Sequence, residues 1–328
     1  MPAPTAHYAA ALRHELTARN RIHARNHPHV ESYGANPVIV YSPDGNCHGN
    51  FYDPAYGAIL THPEWQRRFD KVHAQAARSL PKAERRWREL DSSMSSDALL
   101  MNVFCTPGVL EDCALRSILG IDNTAEPIFG WKARVPLANG RFDRTEVDLC
   151  LGSLLIEAKL TESDFQTRKA SVVESYRDFE AVFDRELLPR TGIATARPRR
   201  ASEFPENQSQ EFESLLCDPQ AVVHIDPVVA APTEAGYAAY QLIRNVLAAH
   251  ATGANFAVLL DARRPDLLEQ WFNVMQAVRS AELRTRLKVL TWQELAVLLP
   301  KGLQQFLDVK YGIVVPGKTP TPIDDLAQ

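Results

Sequence analysis

No apolar run in this chain approaches the roughly 20 residues needed to cross a bilayer, so a membrane-spanning helix is not expected. The start, Met1 to His7, lacks the charged-then-apolar pattern of a secretory leader, and a cytoplasmic location is the expectation. Cysteine is scarce. Cys47, Cys105, Cys113, Cys150 and Cys217 are odd in number and contain no CxxC pair, and several lie among apolar neighbours, so they read as reduced core residues, which argues against a disulfide framework or a zinc ribbon. Neither GxGxxG nor a P-loop occurs, which removes support for nucleotide-cofactor and NTPase functions. Excess positive charge is missing too. With a net charge of −4 and a pI near 6.2, nothing pulls polyanions to the molecule as a whole, and any phosphate binding has to come from locally placed side chains. There are no internal repeats.

What is present is ordinary globular material: 328 residues, 45% hydrophobic and 23% charged, enough for one substantial core plus an extension. Residues 1–90 read as an accessory segment, 91–312 as the main domain and 313–328 as a flexible tail. The accessory segment opens with a helix (Tyr8, Ala11, Leu12, Leu16), passes through an irregular stretch, His27 to Tyr56, and continues in an amphipathic helix from His62 (Trp65, Phe69, Val72, Ala76, Leu80) and a charged one beginning at Pro81. Ser95-Ser96-Asp97 reads as an N-cap for Ala98 to Phe104. A second helix runs after Thr106-Pro107-Gly108 through Val109, Leu110, Ala114, Leu115, Ile118 and Leu119 to Gly120.

Three strands follow, Ile128 to Pro136, Thr145 to Leu151 and Leu154 to Lys159, separated by the turn signals Asn139-Gly140 and Gly152-Ser153. A helix over Val172 to Leu188 precedes an aperiodic loop, Arg190 to Gln210. After an apolar stretch at Ala221 to Ile225 come a helix Glu234 to Ala249, a strand Phe256 to Asp261, a helix Leu267 to Val278, a strand Leu287 to Leu290 and a helix Trp292 to Leu299. This order predicts an α/β core, a mixed central sheet flanked by helices, with a mostly helical and irregular N-terminal extension.

The chemistry gathers at the second hairpin. In Thr145 to Leu151, strand alternation sends Glu146 and Asp148 one way and Val147, Leu149 and Leu151 the other, while Glu157 and Lys159 share a face because one residue separates them. If Gly152-Ser153 closes the hairpin, Asp148, Glu157 and Lys159 meet at one end of a small sheet. Phosphodiester cleavage needs a hard divalent cation, and Mg²⁺ takes few carboxylates, keeping positions for water and substrate. Asp148 and Glu157 fit that demand, the carbonyl of Ala158 is a further ligand candidate, and Mn²⁺ is the natural substitute. Lys159 would orient the nucleophile or stabilise developing negative charge.

Val147-Asp148, the hairpin and Glu157-Ala158-Lys159 resemble the PD-(D/E)XK superfamily of restriction-endonuclease-like nucleases, closest to an uncharacterised bacterial branch, over Ser95 to about Leu299. Val147 stands where that superfamily's proline would be. The resemblance implies a Mg²⁺-dependent endonuclease acting on DNA, with Asp148 and Glu157 as metal ligands and Lys159 assisting the water. It also implies an acid from the preceding helix, for which Glu111 is the candidate and Asp112 the second, and a polar residue from a later helix, for which Gln241 is the candidate. The spacing of that later helix places Gln241, Arg244, Asn245 and Ala248 on one face and Leu242, Ile243, Val246 and Leu247 on the buried one.

Plainer readings stand beside these. Glu146 reads as an edge or salt-bridge residue, Glu111 as an acid favoured in a first helical turn, and Gln241 and Arg244 as the exposed stripe of an amphipathic helix. Asp148 resists such a reading, since a carboxylate between Val147 and Leu149 is costly to bury unpaired. Lys132, Arg134, Arg141 and Arg144 flank the strands and are candidates for nucleic-acid backbone contacts along with Arg244, whereas Arg197, Arg199 and Arg200 read as a solvated loop run. His27, His29, Cys47 and His48 match no closed tetrahedral metal pattern. The alternative to an enzyme is a nuclease-fold module without hydrolytic activity that binds nucleic acid or a protein partner. A homodimer would allow cuts on both strands, though nothing in the chain demands one.

Overall fold

The computed structural model describes residues 5–32, 37–72, 87–121, 125–144, 146–194 and 233–326. Cys217, Arg197, Arg199, Arg200, the apolar stretch 221–225 and most of the charged helix expected from Pro81 lie outside them.

Helix α1 (Thr5–His23) leads the described chain, followed by α2 (Asp53–Thr61) and α3 (Pro63–Phe69), each with proline in its first turn, where the missing N–H would have no intrahelical partner anyway. Ser95 caps α4 (Ser96–Phe104), its hydroxyl accepting the Ala98 N–H at 3.1 Å. Asp112 caps α5 (Cys113–Leu119), accepting the Leu115 N–H at 2.8 Å, and Gly120 ends it at φ +68°, a left-handed position suited to glycine. The second helix expected from Val109 therefore begins only after Asp112, and Glu111 lies in the preceding turn.

Strands β1 (Ile128–Lys132), β2 (Glu146–Leu151) and β3 (Leu154–Ala158) form the antiparallel meander, with Leu151 opposite Leu154 across Gly152, whose φ of +59° the tight turn requires. Next come the two-residue strand β4 (Arg168–Lys169), helices α6 (Ala170–Val173) and α7 (Phe179–Val182), and strands β5 (Arg190–Ala194) and β6 (Thr233–Tyr237). The remainder alternates: α8 (Tyr240–Thr252), β7 (Asn255–Leu260), α9 (Pro265–Met275), α10 (Ala281–Thr285), β8 (Leu287–Thr291), α11 (Trp292–Ala296) and α12 (Lys301–Tyr311).

The central sheet has the order β8-β7-β3-β2-β1, with β8, β7 and β3 parallel and β2 and β1 antiparallel to their neighbours. Helices cover both faces. Leu155, Phe256 and Val258 pack against Leu242, Ile243 and Val246 of α8 on one side. On the other, Ile156, Ala257 and Leu259 pack against Leu99 and Val103 of α4 and Leu16 of α1. Every residue of β3 is buried, which is why it reads as a continuous apolar run rather than an alternating one. Removing a side chain such as Ile156 from this double-sided core costs about 2–5 kcal/mol.

Further sequence expectations change, and the loop expected from Arg190 begins instead as β5. The helix over Val172 to Leu188 is split into α6 and α7, because Ser175 to Arg177 instead bonds to a small hairpin in which Val135 and Pro136 pair with Asp143 and Phe142: the Ala138 N–H donates to Ser175 O at 2.8 Å and the Arg177 N–H to Pro136 O at 3.0 Å. The start of the helix expected from Glu234 is β6, drawn into a ladder with β5, a non-local pairing that overrides local propensity. Alternation along β2 breaks at Asp148. Val147 joins the core on the α8 side, while Leu149 and Leu151 join the opposite one. Across from Asp148 on β1 lies Gly130 at φ +64°, so the ladder is irregular at the point that aims this carboxylate.

Helix α1, in the segment read from sequence as accessory, packs directly on the core. Arg19 of α1 donates to the Asp308 carbonyl of α12 at 3.1 Å and to Thr321 O at 3.0 Å. Among the described residues, no helix is long and apolar enough to cross a membrane.

Candidate active site

Asp148, Glu157 and Lys159 do converge. The irregular step in β2 turns Asp148 toward β3, where its Oδ2 accepts the Ala158 N–H at 2.8 Å. Lys159 Nζ sits 2.7 Å from Glu157 Oε1. The other oxygen of Glu157 accepts Asn245 Nδ2 of α8 at 2.8 Å, so this carboxylate is fixed from both sides. Glu157 and Lys159 are 1% and 4% exposed, whereas Asp148 is half-buried on the wall of a cleft of about 580 Å³. The backbone of Lys159 is tied down as well, its N–H donating to Leu259 O at 2.8 Å and its carbonyl accepting Trp292 Nε1 at 3.1 Å.

Charge in the cleft is predominantly negative. Burial, with Glu157 and Asp97 close by, pushes the Asp148 carboxyl well above the usual aspartate range. Burial works against the charge on Lys159 too, but Glu157, Glu162 and Asp148 outweigh it and hold the ammonium above the usual lysine range. Lys159 is therefore a charged donor here, suited to stabilising negative charge rather than to accepting a proton.

Asp97, read from sequence only as part of a cap, is the acid that the helix before the strands brings to this cleft. It is clamped by Arg68 of α3, which also reaches Glu146 at 3.3 Å. Burial raises the Asp97 pKa and Arg68 opposes that rise. Glu146 is the salt-bridge residue expected, since Lys71 at 3.2 Å and Arg68 outweigh its burial and lower its pKa.

Glu111 is exposed and lines a separate cleft with Trp65, Leu110 and Pro127. Asp112 is spent on its cap. Gln241 does line the main cleft. Arg244 does not belong to an exposed stripe: it is 1% exposed and donates to the Glu146 carbonyl at 2.7 Å, and Asn245 and Ala248 beside it are buried as well. Lys132, Arg134, Arg141 and Arg144 are exposed. His48 is buried 3.1 Å from Asp91, and of the cysteines expected in the core Cys105 and Cys150 are buried, whereas Cys47 and Cys113 are exposed.

Sequence reasoning missed two further supports. Asn245 carried a face assignment but no partner, and a buried amide on the helix facing an acid-bearing strand was the available signal. Arg264, 0% exposed, had none. Its guanidinium donates to Leu160 O at 3.2 Å, Glu162 O at 2.7 Å and Ser163 O at 3.2 Å, and pairs with Asp266, thereby shaping the loop that leaves Lys159.

The donor set fits a hard divalent cation. Asp148 and Glu157 place two carboxylates beside one lysine, and Asp97, paired with Arg68, stands nearby. In a strand the N–H and C=O of one residue face the same neighbouring strand, so the Ala158 carbonyl lies on the β2 side of β3 together with the N–H that Asp148 accepts. Among the described residues no group of three or more His, Cys, Asp or Glu side chains is placed to hold a metal ion, so any cation here would rest on two carboxylates. A cation held here would complete its shell with water and substrate oxygens, as Mg²⁺ does.

A family model described as Restriction Endonuclease associating with ARP matches residues 22–312. No curated protein and no solved structure matches the chain.

Proposed function

The chain belongs to the family of restriction endonucleases associating with ARP, its five-stranded mixed sheet is a restriction-endonuclease-like fold, and we propose that it is a metal-dependent nuclease that hydrolyses phosphodiester bonds of DNA. The observation that carries this reading is the pairing of Asp148 and Lys159 on the wall of one cleft, with Glu157 bonded to Lys159 just behind it and braced by Asn245. Asp148 and Glu157, with the Ala158 carbonyl, would hold Mg²⁺ or Mn²⁺. The bound ion would polarise the scissile phosphate and lower the pKa of a water. Lys159 would place its ammonium against the negative charge that develops on the phosphate. Asn245 keeps Glu157 from rotating away, and Asp97, positioned by Arg68, would act on the site through its charge on Asp148. Gln241 stands at the cleft as a neutral donor toward the substrate. Lys132, Arg134 and Arg144, all exposed beside the sheet, are the proposed contacts to flanking phosphates.

The test incubates the protein with plasmid, linear and single-stranded DNA in Mg²⁺ or Mn²⁺, alongside Asp148→Ala and Lys159→Ala. Cleavage by the unaltered chain and its loss in both variants is the expected result. Equal cleavage by all three proteins would overturn the assignment.

A further inference from the structure

Among the described residues only two non-glycine residues have positive φ, Gln166 at +64° on the cleft wall and Ala239 at +56°, which directly precedes the Tyr240 bonded to Gln166. The left-handed region brings Cβ against the backbone and is costly for any residue but glycine, so a glutamine persists there only if its surroundings impose it. They do. The Gln166 N–H donates to Asp164 Oδ1 at 2.6 Å, and the Gln166 carbonyl accepts the Tyr240 N–H at 2.9 Å. Next to it the Phe165 carbonyl accepts the Gln241 N–H at 2.9 Å, while the Phe165 ring is fully buried. Two otherwise orphaned N–H groups at the start of α8 are thereby capped by the loop that begins at Lys159. Arg264 fixes the same loop from below through three of its carbonyls.

This construction leaves the Gln166 side chain outside all of that bonding. It is exposed, lines the cleft with Gln241, Asp148 and Lys159, and its carboxamide has no hydrogen-bond partner among the described residues; the same holds for the carboxamide of Gln241. The loop's own needs would be met better by glycine. The rest of the cleft wall is largely acidic, with Glu89, Asp97, Glu162 and Asp164, so a polyanion entering it needs neutral donors there.

We infer that Gln166 is a substrate-contact residue, its carboxamide donating with that of Gln241 to a backbone phosphate next to the scissile one. The inference rests on the nuclease reading and adds to it a residue which that reading does not require. A phosphate contact carries no base identity, so its loss weakens binding to unrelated sequences alike.

The experiment compares the full chain with Gln166→Gly and Gln166→Glu, measuring thermal melting and, with Ca²⁺ in place of Mg²⁺, anisotropy of two labelled duplexes of unrelated sequence. Gln166→Gly removes both the amide and the backbone strain. Its melting temperature should be unchanged or higher, and its affinity for both duplexes should fall roughly tenfold, the value of one hydrogen bond to a charged group. Gln166→Glu should fall further, because it sets a like charge against the phosphate. Unchanged affinity in Gln166→Gly would overturn the inference, as would a loss confined to one sequence. Neither result touches the nuclease reading if the unaltered chain still cleaves and Asp148→Ala does not. If the unaltered chain neither binds nor cleaves DNA, both fall together.

Discussion

Asn245 Nδ2 donates to Glu157 Oε2 at 2.8 Å from the helix behind the sheet, while the opposite oxygen of the same carboxylate holds the Lys159 ammonium at 2.7 Å. Glu157 thus has no rotational freedom of its own, and the partner that fixes it is a fully buried residue. Second partners of ligating carboxylates commonly set activity by 10- to 100-fold. Asn245→Ala should lower kcat by roughly that factor with little change in KM, and weaken Mn²⁺ binding measured by calorimetry. A change in KM alone would show that Asn245 acts on substrate and not through Glu157.

Asp148 offers a sign that can be checked by pH. Its native pKa stands well above the usual value of 3.8 because of burial and the nearby Glu157 and Asp97. The folded state therefore binds more protons than the unfolded one between those two values, and metal-free stability falls as pH rises through that interval, then levels off above it. Asp148→Asn keeps an oxygen for the Ala158 N–H but carries no charge. At pH 8 in EDTA the variant should melt higher than the unaltered chain, and the gap should close as pH is lowered toward the ordinary carboxylate range. Adding Mg²⁺ should stabilise the unaltered chain and not the variant.

The hairpin and its acids were legible because strand period and a Gly152 turn are local properties. β3 and β7 announced themselves as buried apolar runs, and the order of the five central-sheet strands along the chain followed from them. What escaped the sequence depends on distant pairing. The start of the helix expected from Glu234 became β6 because β5 pairs with it from 40 or so positions away. Asp97 looked like capping chemistry because its neighbours Ser95 and Ser96 are good caps; only the packing of α4 against β3 reveals that it faces the cleft. The φ of Gln166 and the five hydrogen bonds of Arg264 leave no trace in periodicity at all.

Asp97 and Glu111 make a paired test of which acid joins the site. Asp97 lines the cleft and acts on Asp148, whereas Glu111 is exposed in a turn beside another cleft. Asp97→Asn should reduce cleavage about 10- to 100-fold, and Glu111→Ala should leave it at the level of the unaltered chain. The reverse ranking in a plasmid-nicking time course would return the role to Glu111.

Arg264 is the support whose loss should be felt most in stability. Its guanidinium is fully buried, spends its donors on Leu160, Glu162 and Ser163 carbonyls, and faces an Asp266 side chain that is 2% exposed. Arg264→Ala leaves that carboxylate buried without its cation and three carbonyls without a donor, a loss of about 3–5 kcal/mol in urea unfolding. Arg264→Lys retains the charge, yet a compact ammonium with three donors cannot span a fork of carbonyls and a bidentate carboxylate. The lysine variant should therefore fold with reduced stability and bind DNA more weakly, because the same loop carries Gln166 and the chain leaving Lys159. If Arg264→Lys unfolds at the same urea concentration as the unaltered chain, the loop owes its shape to Phe165 and the start of α8 instead.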